Sequence, residues 1–127
     1  MASEQLGIDA LGEFLAAFNA QDHERLARSL HYPHIRLANG RFTRVDSPEE
    51  AVEWSRKGRS RLEAEGWHHS ELESAEVVQA GDDKVHLAIR FHRCREDGTV
   101  YSRFDTLWIA TLVDGHWGIQ FRSSFLR

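Results

Sequence analysis

Residues 85–125 read VHLAIRFHRCREDGTVYSRFDTLWIATLVDGHWGIQFRSSF, and this stretch decides the fold. Together with the run before it, it predicts four strands, from Trp67 to Ala80, Val85 to Arg93, Val100 to Val113 and His116 to Phe125. Turn residues separate the four runs at Gly81-Asp82-Asp83, Asp97-Gly98 and Asp114-Gly115. Asp-Gly pairs tolerate the positive backbone angles of tight hairpins, so we expect a four-stranded antiparallel meander.

The apolar pattern of these runs indicates how the sheet is covered. Val85, Leu87, Ile89 and Phe91 alternate with more polar residues, which is typical of a strand with one buried face. Between residues 104 and 113 both alternating sets are apolar, so that strand needs cover on both faces. Helices can cover only one face, and we therefore predict a homodimer joined sheet to sheet.

The first forty residues carry signals for two helices. Apolar residues at helical spacing predict a first helix that ends near Asn19-Ala20-Gln21; they are Leu11, Phe14, Leu15 and Phe18. Asp22 can cap a second, shorter helix that carries Leu26, Ala27 and Leu30. Pro33 stops the helical pattern, and residues 34–38 are expected to pair with residues 41–45 across Asn39-Gly40.

A third helix has the clearest start in the chain. Ser47-Pro48-Glu49-Glu50 is a capping box with proline at the first helical position, and Gly66 can end the helix. The predicted order of elements is therefore α-α-β-β-α-β-β-β-β. It describes an α+β domain spanning residues 1–127, in which a curled antiparallel sheet carries three helices over one face. Such a fold tends to leave a pocket between its two layers.

Composition excludes several classes of protein. The 127 residues suit one domain, and 41% hydrophobic with 28% charged residues is ordinary for a globular chain. No apolar run approaches the length of a membrane span, and the N-terminus lacks a secretory pattern, so we expect a cytoplasmic protein. A net charge of -4 argues against nucleic acid, and the lone Cys94 excludes a disulfide. The basic run from Arg56 to Arg61 is typical of a solvated helix face.

Two segments carry a family resemblance. The segment FNAQDHERL from Phe18 to Leu26 joins the first two helices, and Asp114-Gly115-His116-Trp117 enters the last strand. With the order of elements, they make the chain similar to the nuclear transport factor 2-like superfamily, the SnoaL-like or ketosteroid-isomerase-like cone fold. The resemblance implies a cone-shaped pocket, but the superfamily includes isomerases, dehydratases, cyclases, hydrolases and non-enzymatic domains.

The known chemistries of that superfamily transfer poorly to this chain. Ketosteroid isomerases use a tyrosine as hydrogen-bond donor, and the resemblance places Phe14 at that position. Their aspartate base would correspond to Ala38 or Asn39 in this sequence. The dehydratase-like members have a histidine at the start of the first long strand, which His68 or His69 matches. A neutral imidazole can accept or donate a proton near neutral pH, so His69 and His68 are the predicted catalytic residues. Strand alternation would place at most one of the two side chains in the pocket. The alternative is that one imidazole points to solvent and the other forms a hydrogen bond within the sheet.

Other polar and aromatic residues are candidates for ligand binding. The predicted set is Asn19, Phe14, Phe18, Trp54, Arg90, Gln120 and Arg122. Asn19 has the alternative role of a helix cap. Gln120 and Arg122 are expected on one face of the last strand, opposite Ile119, and that face meets either the pocket or the dimer partner. His31 and His34 lack regular metal-ligand spacing, so no metal and no cofactor are expected.

Two functions remain open at this point. The first is a pocket for a small apolar or aromatic carbonyl-type compound, with isomerisation, cyclisation or dehydration as candidate reactions. The alternative is a non-enzymatic accessory or assembly domain that uses its exposed sheet face. The alternative predicts that the protein's own side chains fill the pocket, and a large empty cavity would count against it.

Overall fold

A computed structural model describes residues 2–126 and contains three helices and six strands. The helices are α1 (Ala2–Ala20), α2 (His23–Arg28) and α3 (Pro48–Glu65). The strands are β1 (Leu30–Ala38), β2 (Arg41–Val45), β3 (His69–Ala80), β4 (Lys84–Cys94), β5 (Val100–Val113) and β6 (His116–Ser124). The predicted order of elements and the α+β class are confirmed. Leu30, expected in the second helix, is instead the first residue of β1.

The six strands form one sheet in the order β2-β1-β6-β5-β4-β3. The predicted meander of β3 to β6 and the hairpin of β1 and β2 are both present, and all their pairings are antiparallel. The sheet as a whole is mixed rather than purely antiparallel, because β6 lies parallel to β1. The meander ends with β6 beside the earlier hairpin, and its direction there matches that of β1. The edge strands β2 and β3 do not meet, so the curled sheet stays unclosed.

Capping groups define the helix ends as the sequence predicts. Asp22 accepts the backbone N–H of Arg25 at the start of α2, and Ser47 accepts that of Glu50 at the start of α3. The reciprocal bond of the capping box is shifted by one residue, since the Glu50 carboxylate accepts the N–H of Asp46 at 3.0 Å rather than that of Ser47. Gly66 ends α3 in the left-handed conformation at φ 81°.

The core lies between α1 and the inner face of the sheet. Leu11, Phe14 and Ala17 of α1 are buried, and α1 crosses β3, β4, β5 and β6. The buried apolar residues of the facing strands are Val85, Leu87, Ile89, Phe91, Trp108, Ala110 and Ile119. At Gly7 the helix lies so close to β4 that an added Cβ would be 2.9 Å from the Cβ of Val85. Within residues 2–126 no helix combines the length and the apolar character needed to cross a lipid bilayer.

The outer face of the sheet has an apolar half and a charged half. Ile35 pairs with Phe121, and Phe121 pairs with Ile109, so these three half-buried side chains form a row across β1, β6 and β5. Arg90 on β4 and Asp105 on β5 lie in the charged half, where their side chains bond at 2.8 Å. We call the set of Ile35, Phe121 and Ile109 the apolar row, and the region around Arg90 and Asp105 the charged half.

Candidate ligand cavity

A cavity of about 440 Å³ lies between the helices and the inner face of the sheet. Phe14 and Phe18 of α1 and Trp54 of α3 form its aromatic walls. Five cationic residues line it, namely Arg36, Lys57, Arg61, Arg93 and Arg122. A smaller adjoining space of about 50 Å³ shares three of these arginines and is walled by Trp108. The sequence placed Phe14, Phe18, Trp54 and Arg122 among the ligand-binding candidates, and the structure brings these four together here.

Arg122 projects from β6 into the inner layer and is only 7% exposed. Its guanidinium lies over the rings of Phe14, Trp54 and Trp108 at 4.8, 5.2 and 5.7 Å from their centroids. Within residues 2–126 no carboxylate lies at ion-pair distance from it, and its Nη2 has no hydrogen-bond partner. Burial, followed by the charge of Arg36, lowers the pKa of Arg122 well below its usual value.

His34 holds Arg122 in place from β1. The Nε–H of Arg122 donates to His34 Nε2 at 3.1 Å, and the other ring nitrogen, Nδ1, lies 3.0 Å from the carbonyl oxygen of Ile119. Arginine can only donate, so Nε2 accepts and the proton of the neutral ring is on Nδ1. Burial, then the charges of Arg122 and Arg36, lower the pKa of His34 to about 3. His34 is therefore a neutral positioning group near pH 7.

Arg36 is the register neighbour of Arg122 on the adjacent parallel strand. Its guanidinium lies 5.7 Å from the ring centroid of Trp54, and its buried Nε has no hydrogen-bond partner among residues 2–126. Burial, followed by the charges of Arg61 and Arg93, lowers the pKa of Arg36. Two neighbouring strands thus direct like charges to one place, which is costly unless an anion joins them.

Arg93 and Glu65 form the other side of the cavity. Arg93 Nη1 donates to Glu65 Oε1 at 3.1 Å, and the hydroxyl of Tyr101 donates to the same oxygen at 2.8 Å. Burial, then the bond to Glu65, raises the pKa of Tyr101 to about 12. The Nε of Arg93 is buried and has no hydrogen-bond partner in the part of the chain that the structure describes. The Glu65 carboxylate is therefore already engaged and does not neutralise Arg122 or Arg36.

The basic run of α3 has two sides. Arg56 and Arg59 make ion pairs with Glu53 and Glu63 at 3.8 and 3.7 Å on the solvent side. Lys57 and Arg61 lie one helical turn apart and line the cavity. The basic side chains of the run are all exposed, as expected for a solvated helix face, and Lys57 and Arg61 also border the cavity.

A β-bulge in β6 changes which side chains point inward. Ile109 pairs with Phe121 and the next residue, Ala110, pairs with Ile119, so Gln120 is left without a partner in the ladder. Ile119 and Arg122 are consequently both buried on the inner side. The expectation that Arg122 lies opposite Ile119, on the face of Gln120, is wrong because simple alternation ignores the extra residue. Gln120 bonds instead to Thr111 and to the carbonyl of Pro33, away from the cavity lining.

His68 and His69 lie outside the residues that line the cavity. Their Nδ1 atoms are 3.0 Å apart, and His69 Nε2 is 2.9 Å from a carboxylate oxygen of Glu71. The expected opposite orientation fails because β3 begins only at His69, so strand alternation does not govern His68. Their catalytic role stays a prediction.

Two other candidates make bonds within the protein. The side-chain amide of Asn19 donates to the carbonyl of Ser70 at 2.9 Å and accepts the Ser70 N–H at 2.8 Å, which ties α1 to β3. Arg90 lies in the charged half of the outer face, where it pairs with Asp105 and with Glu73. Neither lines the cavity, and their roles in ligand binding stay predictions.

Potential metal ligands occur near the start of β3. Donor atoms of His69, Glu71 and Cys94 all lie within 4.8 Å of one another, a spacing that would have to tighten around a bound zinc ion. His31 and His34 are engaged elsewhere, since His31 Nε2 lies 2.7 Å from the carbonyl oxygen of His116 and His34 contacts Arg122.

Comparisons with known proteins relate the chain to one fold family. The family model described as NTF2-like protein (DUF6841) matches residues 8–121. The comparison with curated protein sequences gave no match. An NTF2-like protein of unknown function from Shewanella oneidensis is similar, with a TM-score of 0.76, 15% identity, and coverage of 99% of this chain and 100% of that one.

Two further solved structures are similar over most of their length. A protein with a cystatin-like fold from Nostoc punctiforme has a TM-score of 0.78 and 12% identity, covering 98% of this chain and 90% of that one. A ketosteroid isomerase-like protein from Erwinia carotovora atroseptica has a TM-score of 0.68 and 17% identity, covering 95% and 93%. At sequence identities of 12 to 17%, the similarity to these structures shows a shared fold and nothing more specific.

Proposed function

The chain belongs to the NTF2-like protein family DUF6841, and on that premise we propose that it binds a small organic molecule in the cavity between its helices and its sheet. The observation that carries the proposal is the empty space of about 440 Å³ beneath the helices. Ligand sites are typically concave spaces of this order, with aromatic walls and few polar groups. A domain that served only as an assembly module would gain stability by filling such a space.

The cavity can be closed without disturbing the fold, which allows a direct test. Gly58 of α3 lines the cavity, and a Cβ added to it would meet no atom within 4 Å. Gly58→Phe is therefore expected to place a ring in this space and reduce the volume open to a ligand. Gly12→Phe is the matched control, because Gly12 is an exposed helical glycine of α1 that also has no neighbour within 4 Å.

The measurement is a thermal-shift screen with small aromatic compounds, followed by titration monitored by tryptophan fluorescence. We expect ligands that stabilise the natural chain and the Gly12→Phe variant but not the Gly58→Phe variant. Equal binding by all three proteins would place the ligand outside the cavity and overturn the proposal.

The reaction classes considered for the fold, isomerisation, cyclisation and dehydration, remain proposals that depend on a proton carrier. His69 and His68 are the candidates, and a ligand that projected beyond the cavity would have to reach them. His68→Ala and His69→Ala test this role: unchanged turnover or ligand response in both variants would remove histidine from the mechanism.

We also propose that the protein is a cytoplasmic homodimer joined through its outer sheet face. The apolar row of Ile35, Ile109 and Phe121 supports this arrangement, since a half-buried apolar row is a common feature of subunit contacts. The dimer is compatible with a ligand cavity because the two lie on opposite faces of the sheet.

A further inference from the structure

We propose that the ligand of the cavity is an organic acid, whose carboxylate is bound between Arg122 and Arg36 while its apolar body contacts the aromatic walls. This inference rests on the proposed function, since it names the chemical class that the same cavity accepts.

The first support is a set of donors without acceptors. Within the described residues, 2–126, Arg122 Nη2, Arg36 Nε and Arg93 Nε are each buried without a hydrogen-bond partner. Buried polar groups in folded proteins are nearly always paired, so three cavity-lining arginines that each keep an unpaired N–H group favour an acceptor that joins them when a ligand binds. A carboxylate offers two oxygens that accept several hydrogen bonds at once.

The second support is the sign of the charge. Five cationic residues and one acidic residue line the cavity, although the chain as a whole has a net charge of -4. The single acid, Glu65, is bonded to Arg93 and Tyr101. The exposed side chains of Lys57 and Arg61 add positive potential on the α3 side of the cavity, which favours an anionic ligand.

The third support is the way Arg122 is oriented. Phe14, Trp54 and Trp108 surround the guanidinium, and the neutral ring of His34 accepts its Nε–H. Among residues 2–126, no acceptor lies within hydrogen-bond distance of Arg122 Nη2. A planar carboxylate matches the edge of such a guanidinium, and its preorganised geometry lowers the entropic cost of binding.

The competing explanation is that Arg122 is a structural cation among aromatic rings. It predicts that a charged compound and its neutral counterpart bind equally well. Calorimetric titration of the natural chain with benzoate, cinnamate and naphthoate, each beside its primary amide, separates the two explanations. Each acid and amide have nearly the same size and shape.

We expect at least one acid to bind about tenfold to a hundredfold more tightly than its amide, as one or two charge-assisted hydrogen bonds would give. Arg122→Met or Arg36→Met should remove that preference. Arg103→Met is the matched control, since it deletes an exposed arginine that pairs with Glu73 outside the cavity lining and should leave the preference unchanged. Circular dichroism of each variant verifies folding, and the acid–amide comparison on the natural chain requires no variant.

The outcomes separate this inference from the proposed function. Equal binding of acid and amide, both abolished by Gly58→Phe, would overturn the carboxylate assignment while the cavity proposal stands. Binding of none of the six compounds would count against both. Naphthyl phosphate that bound more than about tenfold more tightly than naphthoate would replace the carboxylate by a phosphate and overturn the assignment.

Discussion

The two faces of the sheet differ in whether their arginines form ion pairs. In the charged half of the outer face, Arg90 pairs with Asp105 and Glu73, and Arg103 pairs with Glu73 at 3.1 Å. On the inner face, no carboxylate of residues 2–126 forms an ion pair with the buried Arg122 or the half-buried Arg36. Exposed ion pairs lose little hydration and contribute little to stability, whereas buried charges without a partner destabilise the fold. This difference is what the proposed carboxylate ligand would account for.

The largest expected effect concerns what covers the outer face. We expect the natural chain to have about twice the 14.6 kDa mass of one chain, and Ile109→Glu to reduce it to one chain, because the substitution puts a charge into the apolar row. Light scattering after size exclusion measures the mass. Thr99→Glu, in an exposed turn, is the control. A natural chain that remains single at high concentration would contradict the sheet-to-sheet dimer.

The second prediction concerns the neutrality of His34 on the inner face. Its pKa in the folded protein is about 3, below the ordinary value of 6.5, because of burial and the charges of Arg122 and Arg36. In the unfolded chain the ring gains its proton as the pH falls through 6.5, so acid favours unfolding. This contribution to stability is complete above pH 6.5 and declines towards pH 3.

His34→Gln removes that titration while an amide can still accept from Arg122. From pH 7 to pH 4 the natural chain should lose about 3 kcal/mol more stability than the variant, from the pKa difference in that range. Urea unfolding at several pH values measures the difference. Parallel pH profiles for the two proteins would show that His34 is charged in the fold.

The third prediction compares a satisfied inner polar group with the unsatisfied ones. Asn19 forms two hydrogen bonds with the backbone of Ser70, so Asn19→Ala should lower the free energy of unfolding by about 2 kcal/mol. Gln5→Ala is the control, because Gln5 bonds only to Asp9 on the exposed side of the same helix. A large effect of Asn19→Ala on ligand affinity with no loss of stability would return Asn19 to the ligand site.

The smallest effect tests the cost of the unpaired inner charge. Arg122→Met should raise the free energy of unfolding of the ligand-free protein by about 1 kcal/mol, since a buried cation without an anion is replaced by an apolar side chain of similar length. Arg90→Met should leave stability nearly unchanged. Chemical denaturation measures both. Marked destabilisation by Arg122→Met would mean that the aromatic contacts outweigh the desolvation of the charge.

Local signals predicted the fold well. The capping box at Ser47, the cap at Asp22 and the Asn39-Gly40 turn each depend on a few neighbouring residues, and each lies where the sequence indicates. The parallel pairing of β1 with β6 joins residues about 85 positions apart, so no local pattern could predict it. Reading alternation along β6 failed at Gln120 for the same reason, because a bulge is defined by its partner strand.

The candidate cavity was only partly predictable. Its aromatic walls followed from helical spacing at Phe14 and Phe18, but Arg36 and His34 were missed as site residues. A signal was present in β1, where His34 and Arg36 alternate with Ile35 and Leu37, and the structure turns the polar pair inward. Alternation identifies two faces without saying which is inner, and the usual assumption that the apolar face is inner gives the wrong result here.

The extra residue in β6 decides the electrostatic character of the interior. Upstream of Gln120 the strand contributes Ile119 to the core, and downstream it contributes Arg122 to the cavity. Loss of one residue at that point would restore regular alternation and turn the Arg122 guanidinium to the outer face of the sheet. The cavity would then be more apolar at this position. The charge of the interior therefore depends on the length of one strand, and gain or loss of a single residue there exchanges a cationic cavity for a more apolar one.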